Sequence, residues 1–77
     1  MSLEDLRKKI DEADAKIARL IAERIRIAEE IGGEKKKQGK QIQDIAREEK
    51  VLENVRSIAW EENINQEGIE SIYRQIM

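Results

Sequence analysis

The 77-residue chain has no cysteine, no histidine, no proline and no phenylalanine. Without cysteine, disulfide bonds, thiolate metal sites and thiol catalysis are excluded. Without histidine, the chain lacks the usual general base near neutral pH and the commonest transition-metal ligand. We therefore expect no metal site, and whatever chemistry the chain performs must use other side chains.

Long hydrophobic runs are also missing. No apolar stretch approaches the roughly 20 residues of a membrane span, and the amino terminus lacks the apolar stretch of a signal peptide. Charged residues make up 42% of the chain, the formal net charge is −2, and both signs are mixed along it. Apart from Lys35, Lys36, Lys37 and Lys40, no basic block stands out. We therefore expect a soluble, cytoplasmic protein that binds neither nucleic acid nor membrane.

The chain does contain the apolar spacing of α-helices, and no strand-like alternation. The predicted fold class is all-α, with one very long helix and two shorter ones in a single domain over residues 1–77. The predicted helices span residues 4–37, 44–62 and 66–77. Ser2, Asp44 and Asn65 are the residues expected to cap their amino termini.

The first helix carries an apolar seam, whose members are spaced alternately three and four residues apart. The seam consists of Leu3, Leu6, Ile10, Ala13, Ile17, Leu20, Arg24, Ile27 and Ile31. A helix of this extent is about 50 Å long at 1.5 Å per residue, too long for two short helices to cover. We therefore expect a second copy to bury the rest of the seam in an intertwined homodimer.

One seam position holds a cation. Arg24 cannot lose its charge, so it needs an anionic partner or water. Lys35 lies eleven residues further on, about 20° round the helix at about 100° per residue. Two cations on one buried stripe indicate a pocket for an anion. Taken alone, Arg24 has a simpler explanation, because a charged seam residue can set helix register or reach solvent along its alkyl stem.

A second charged group opens the second helix. Asp44 and Glu48 are one turn apart and share a face, and Arg47 stands beside them. On its own this group is typical of a surface capping aspartate within a solvated cluster. Arg7, beside Leu6, would by itself be an ordinary exposed residue.

In combination and in this order, these elements resemble the all-helical class of chorismate mutases, of the monofunctional archaeal and bacterial type. The resemblance covers nearly the whole chain and rests on several spaced motifs. They are Leu6-Arg7-Lys8-Lys9-Ile10-Asp11 with Asp14, Ala22-Glu23-Arg24, Ile31-Gly32 with Lys35, Asp44-Ile45-Ala46-Arg47-Glu48, and the stretch from Ile69 to Ile76.

The resemblance implies an isomerase of aromatic amino-acid biosynthesis that rearranges chorismate to prephenate. This intramolecular Claisen-type reaction requires no nucleophile, metal, cofactor or obligatory proton transfer. The enzyme must hold a flexible dianion in its compact conformer and stabilise charge on the ether oxygen as the C–O bond breaks.

The resemblance also implies the substrate-binding residues, with Arg7 supplied by the partner subunit. The residues on the matched positions are Arg7, Arg24, Lys35, Asp44, Arg47 and Glu48. Of these, the catalytic assignments are Arg7, Arg24, Lys35 and Glu48. Geometry supports the partner's role, because Arg7 and Arg24 would stand about 25 Å apart on one straight helix.

Each of these residues has an implied role. Arg7 and Arg24 clamp the two substrate carboxylates, for which a guanidinium fork suits bidentate contact. Lys35 donates to the ether oxygen and to a carboxylate. Arg47 orients the carboxylate partners, while Glu48 and Asp44 hold the ring hydroxyl.

The chain departs from the family pattern at its end and near its first loop. The family's third helix continues and contributes a serine-like residue and a glutamine or glutamate, at positions a few residues beyond Met77. Either the sequence is part of a longer protein, or the site lacks its second donor to the ether oxygen. If the chain is truly truncated at Met77, the resemblance implies weak activity or none, and a less stable dimer. Gly33 and the absence of proline near the first loop also depart from common family patterns. They affect the geometry of the loop, and hence the position of Lys35.

Two other functions remain open. An isochorismate–pyruvate lyase resembles the mutase closely and also binds a dianion. A non-catalytic helical dimerisation or regulatory module would instead use Arg24 as a register device.

Overall fold

The computed structural model describes residues 1–37, 39 and 45–77. These residues form three helices and no strand: α1 (Leu3–Lys37), α2 (Ile45–Glu61) and α3 (Gln66–Ile76). The all-α prediction of one long and two shorter helices is confirmed. The predicted start of the second helix at Asp44 lies outside the described residues. The chain divides into two compact units, Met1–Lys40 and Gln41–Met77, and the assignment of one domain to residues 1–77 stays a prediction.

The start of α1 is capped as the sequence predicts. The Asp5 backbone N–H donates to Ser2 Oγ at 3.1 Å, and the Leu6 N–H donates to the Ser2 carbonyl at 3.1 Å. The first bond satisfies a donor that the first helical turn leaves without an intrahelical partner, and the second is the first backbone bond of the helix. Acidic residues in the first turn and lysines in the last also match the helix dipole. The helix runs through Gly32 and Gly33 without a break.

The apolar seam of α1 is uncovered in the single chain. No residue of α1 is buried. The large aliphatic seam residues range from 45% exposed at Leu6 to 64% at Leu3. A helix of this length is stabilised chiefly by packing of its apolar face, rather than by propensity alone. The seam is therefore an extended apolar surface that another molecule could bury.

The second unit is a helical hairpin in which α3 packs against α2. Its core consists of Leu52, Val55 and Ala59 of α2. These residues recur at three- and four-residue intervals, so they form one stripe of the helix. The apolar stripe of α3, with half-buried Ile69 and Tyr73, supplies the other side. Burying a leucine fully contributes about 1.5–3 kcal/mol, so this small core stabilises the hairpin only modestly.

The turn between α2 and α3 uses an asparagine in the left-handed region. Asn63 has φ 56°, its N–H donates to the Trp60 carbonyl at 3.3 Å, and the Ile64 N–H donates to the Ala59 carbonyl at 2.9 Å. This pair of bonds is a Schellman motif, which satisfies carbonyls at a helix end and reverses the chain. Asn65 then caps α3, as the sequence predicts.

Candidate functional site

The two cations predicted on the seam lie on one continuous helix. Arg24 and Lys35 are both half-buried residues of α1, whereas most of their neighbours on that helix are exposed. Because α1 is unbroken between them, they are separated by about 16 Å along the axis and by about 20° around it. They therefore stand on one side of the helix at two heights, which suits a ligand with more than one anionic or polar group.

Arg7 lies on the same helix but too far away to join them within one chain. Its side chain is exposed in the second turn of α1. The unbroken helix keeps Arg7 about 25 Å from Arg24, more than twice the length of a small dianion of about 10 Å. A site that uses both arginines must therefore take them from two copies of α1.

Two of the three charged residues predicted at the start of α2 lie within the described residues. Arg47 is exposed and Glu48 is half-buried, both in the first turns of the helix. Glu48 stands one turn before Leu52, so its carboxylate lies along the same side of α2 as the core stripe. A carboxylate at a helix amino terminus interacts favourably with the helix dipole. Asp44, the remaining predicted member, lies outside the described residues.

The predicted residues thus fall into two groups. Arg7, Arg24 and Lys35 belong to the first compact unit, and Arg47 and Glu48 belong to the second. The assembly of these residues into one pocket stays a prediction. Among the described residues no three acidic, histidine or cysteine side chains gather as metal ligands would. None of the described helices combines the length and apolar character needed to cross a membrane.

The sequence did not single out Arg56 and Glu70, which form an ion pair in the structure. Arg56 of α2 and Glu70 of α3 meet across the hairpin, with Arg56 Nε 3.4 Å from Glu70 Oε2. Each flanks the apolar stripe of its own helix. Long charged side chains beside an apolar stripe often cover the helix interface with their alkyl stems. Their position beside the stripe was therefore the sequence signal that could have identified them.

The helices and their charged residues define a general class of protein. It is an all-helical protein with paired cations on a long helix and a carboxylate at the start of the next one. The cations of α1 can bind an anion, and the carboxylate of α2 can accept a hydrogen bond from a hydroxyl group, in each case by charge-assisted hydrogen bonds.

Comparison with known proteins identifies the family. The family described as chorismate mutase type II matches residues 6–77, and the chain belongs to it. A curated chorismate mutase from Methanocaldococcus jannaschii is 39% identical over 64 residues, which are 83% of this chain and 65% of that relative. The chain therefore spans slightly less than two thirds of the relative's length. No solved structure matches the chain. The predicted family resemblance is confirmed.

Proposed function

We propose that this chain is an isomerase that rearranges chorismate to prephenate. The observation that carries the proposal is the family match over residues 6–77, because that range includes every predicted site residue. The name of the Methanocaldococcus jannaschii relative gives further support. The placing of Arg24 and Lys35 on one side of an unbroken helix is compatible with a dianionic substrate. A cytoplasmic location stays a prediction.

The proposed mechanism depends on positioning and charge. In the reaction one C–O bond breaks as one C–C bond forms within the same molecule, so no external oxidant, reductant or nucleophile takes part. Arg24 and Arg7 of the partner subunit hold the two substrate carboxylates and keep the reacting ends together. Lys35 donates to the ether oxygen, where negative charge develops as the C–O bond lengthens. A preorganised donor at such an atom typically lowers the barrier by about 3–4 kcal/mol.

The carboxylate side of the site selects the substrate's orientation. Half-buried Glu48 accepts a hydrogen bond from the ring hydroxyl, and Asp44 assists it. Arg47 orients these carboxylates and adds positive potential. A charged acceptor makes this bond roughly twice as strong as a neutral one, so it fixes which face of the ring meets Lys35.

We further propose that the working unit is a homodimer. Two observations support it: the uncovered seam of α1, and the distance of about 25 Å that keeps Arg7 from reaching the Arg24 site of its own helix. Burying two such seams against each other would remove the apolar surface from water and deliver each Arg7 to the other chain's site. Two equivalent sites result from the two-fold symmetry.

The proposal is tested by following the loss of chorismate absorbance with the full chain and two variants. Arg24→Met and Lys35→Met each remove a charge while keeping an apolar stem, and each should lower kcat/KM by roughly 100- to 1,000-fold. Arg19→Met is the matched control, because Arg19 is an exposed arginine of α1 outside the seam. It should leave kcat/KM within about twofold.

Two results would contradict the proposal. One is an unaltered kcat/KM in both variants at unchanged far-ultraviolet helicity. The other is a purified chain that releases pyruvate from isochorismate but leaves chorismate intact, which would make it a lyase on the same scaffold. A chain inactive on both compounds, with Arg24→Leu raising dimer stability, would identify a dimerisation module.

A further inference from the structure

The α2–α3 hairpin carries a chain of four charged side chains that the proposed site does not use. Arg56 Nη2 lies 3.8 Å from Glu49 Oε2, and Arg56 Nε lies 3.4 Å from Glu70 Oε2. Arg74 Nη2 in turn donates a hydrogen bond to Glu70 Oε1 at 3.2 Å. Arg56 is therefore the link that joins the two helices, whereas the Arg74–Glu70 pair lies within α3.

The link between the helices is more shielded than an ordinary surface ion pair. The side chain of Glu70 is 21% exposed and that of Arg56 is 37% exposed, compared with 60% for Arg74. Arg56 Nε is closed off from solvent and makes no hydrogen bond within the described residues. Glu70 Oε2 is the anionic oxygen beside it. Opposite charges at this short distance, partly shielded from water, attract each other more strongly than an exposed pair, so the hairpin favours the alignment that keeps Glu70 opposite Arg56.

This alignment determines what lies beside Glu48. The α3 helix runs back along α2, so residues beyond Glu70 approach residues before Arg56. Glu48 precedes Arg56 by eight residues, or about 12 Å, and Ile76 follows Glu70 by six residues, or about 9 Å. The last turn of α3 is therefore about level with the first turns of α2, and both Glu48 and Ile76 are half-buried.

We propose that Arg56 and Glu70 are positioning residues for Glu48. Their pairing holds α3 in register, so that Ile76 in the last turn of α3 stands beside the Glu48 carboxylate and limits its access to water. This inference rests on the proposed function, in which Glu48 receives the ring hydroxyl of chorismate. A shift of the order of 1 Å in such a group can cost up to about 100-fold in rate or affinity.

The test measures kcat and KM for chorismate in Arg56→Met, Glu70→Gln and the double variant. Each single variant should raise KM about tenfold with kcat within about twofold, and the double variant should be no worse than either, because residues that act as a pair are not additive. Arg56→Lys keeps the cation and should recover part of the affinity. Arg74→Met is the matched control, because it removes the exposed arginine from the same carboxylate, and its KM should stay at the original value.

If the Arg56–Glu70 pair only stabilised the fold, the variants would give another result. They would lower the folded fraction and hence the apparent kcat, with KM unchanged in the molecules that remain folded. That outcome, or KM effects of the two single variants that simply multiply, would overturn the inference. Glu70→Gln preserves shape and volume, so it keeps the test decisive if Arg56→Met fails to fold.

A second readout separates this inference from the proposed function. The carbon-13 resonance of the Glu48 side-chain carboxyl should move in Arg56→Met and in Glu70→Gln, and stay in place in Arg74→Met. A resonance that does not move in the first two variants overturns the positioning role, whether or not chorismate reacts. If the original chain fails to turn over chorismate, the proposed function fails, and the resonance alone decides the positioning role.

Discussion

Asn65 and Gly68 are joined by a hydrogen bond of 2.6 Å, in which the Gly68 backbone N–H donates to Asn65 Oδ1. This bond caps α3, and the missing side chain of Gly68 leaves room for it. A Cβ atom at position 68 would lie 3.3 Å from Asn65 Oδ1, closer than most such contacts. A capping box would place glutamate or glutamine at this third helical position. Glycine has a low helix propensity, but at position 68 it allows the Asn65 side chain to approach closely enough to cap the helix.

Removal of this cap should destabilise the hairpin. Asn65→Ala is expected to lower the free energy of unfolding by about 1 kcal/mol, because the Gly68 N–H loses its acceptor. Asn65→Asp retains an acceptor and should stay close to the original value. The matched control is Asn54→Ala, since Asn54 is an exposed asparagine inside α2. Urea denaturation measures all three, and an equal loss in Asn65→Ala and Asn54→Ala would contradict the capping role.

Two glycines should respond to alanine in opposite directions. Gly33 is exposed inside α1, with no described atom within 4 Å of an added Cβ, so Gly33→Ala should raise the free energy of unfolding by about 0.5–1 kcal/mol. Gly39 has φ +71°, where a side chain is strained, so Gly39→Ala should lower it by about 1 kcal/mol. Thermal and urea unfolding of both variants provide the comparison. Shifts of the same sign would show that backbone conformation does not control these positions.

The seam of α1 should determine the oligomeric state. Leu20→Lys places a charge in the middle of the seam, where Leu20 is 62% exposed in the single chain, and it should convert a dimer into monomers. Ala15→Lys adds the same charge on the opposite side of the helix and should leave the dimer intact. Sedimentation velocity over a range of concentrations distinguishes the species. A dimer that survives Leu20→Lys would place the contact between copies elsewhere.

The helix caps and the apolar stripe of α2 were predictable because each depends only on residues close together in the sequence. Ser2 and Asn65 were identified as caps from side-chain type and position alone, and both caps are present. The three- and four-residue spacing of apolar residues in α2 is also a local signal for its buried stripe, and Leu52 at the centre of the stripe is 1% exposed. Ile45 belongs to the same stripe but is 71% exposed. The reason is length, since α3 has 11 residues and covers only part of the 17 residues of α2.

Other features depend on how elements meet, which a single sequence does not encode locally. The Arg56–Glu70 contact requires a particular rotation of α3 against α2, and many charged pairs along the chain satisfy the same spacing. The left-handed conformation of Asn63 was likewise not foreseen, although asparagine is the non-glycine residue that tolerates it best. For the site, the cations on α1 were identifiable from an arginine that interrupts an apolar series. Their convergence with Arg47 and Glu48 stays a prediction.

The unbroken course of α1 from Leu3 to Lys37 has a genetic consequence for the proposed dimer. Each long helix would contribute Arg7 to one site and Arg24 to the other. In that dimer, a chain that has lost Arg7 and a chain that has lost Arg24 would each have very low activity in a pure preparation. When the two are mixed and exchange subunits, one site receives both defects while the other is restored in full. Defective alleles at these two positions would therefore complement each other in one cell.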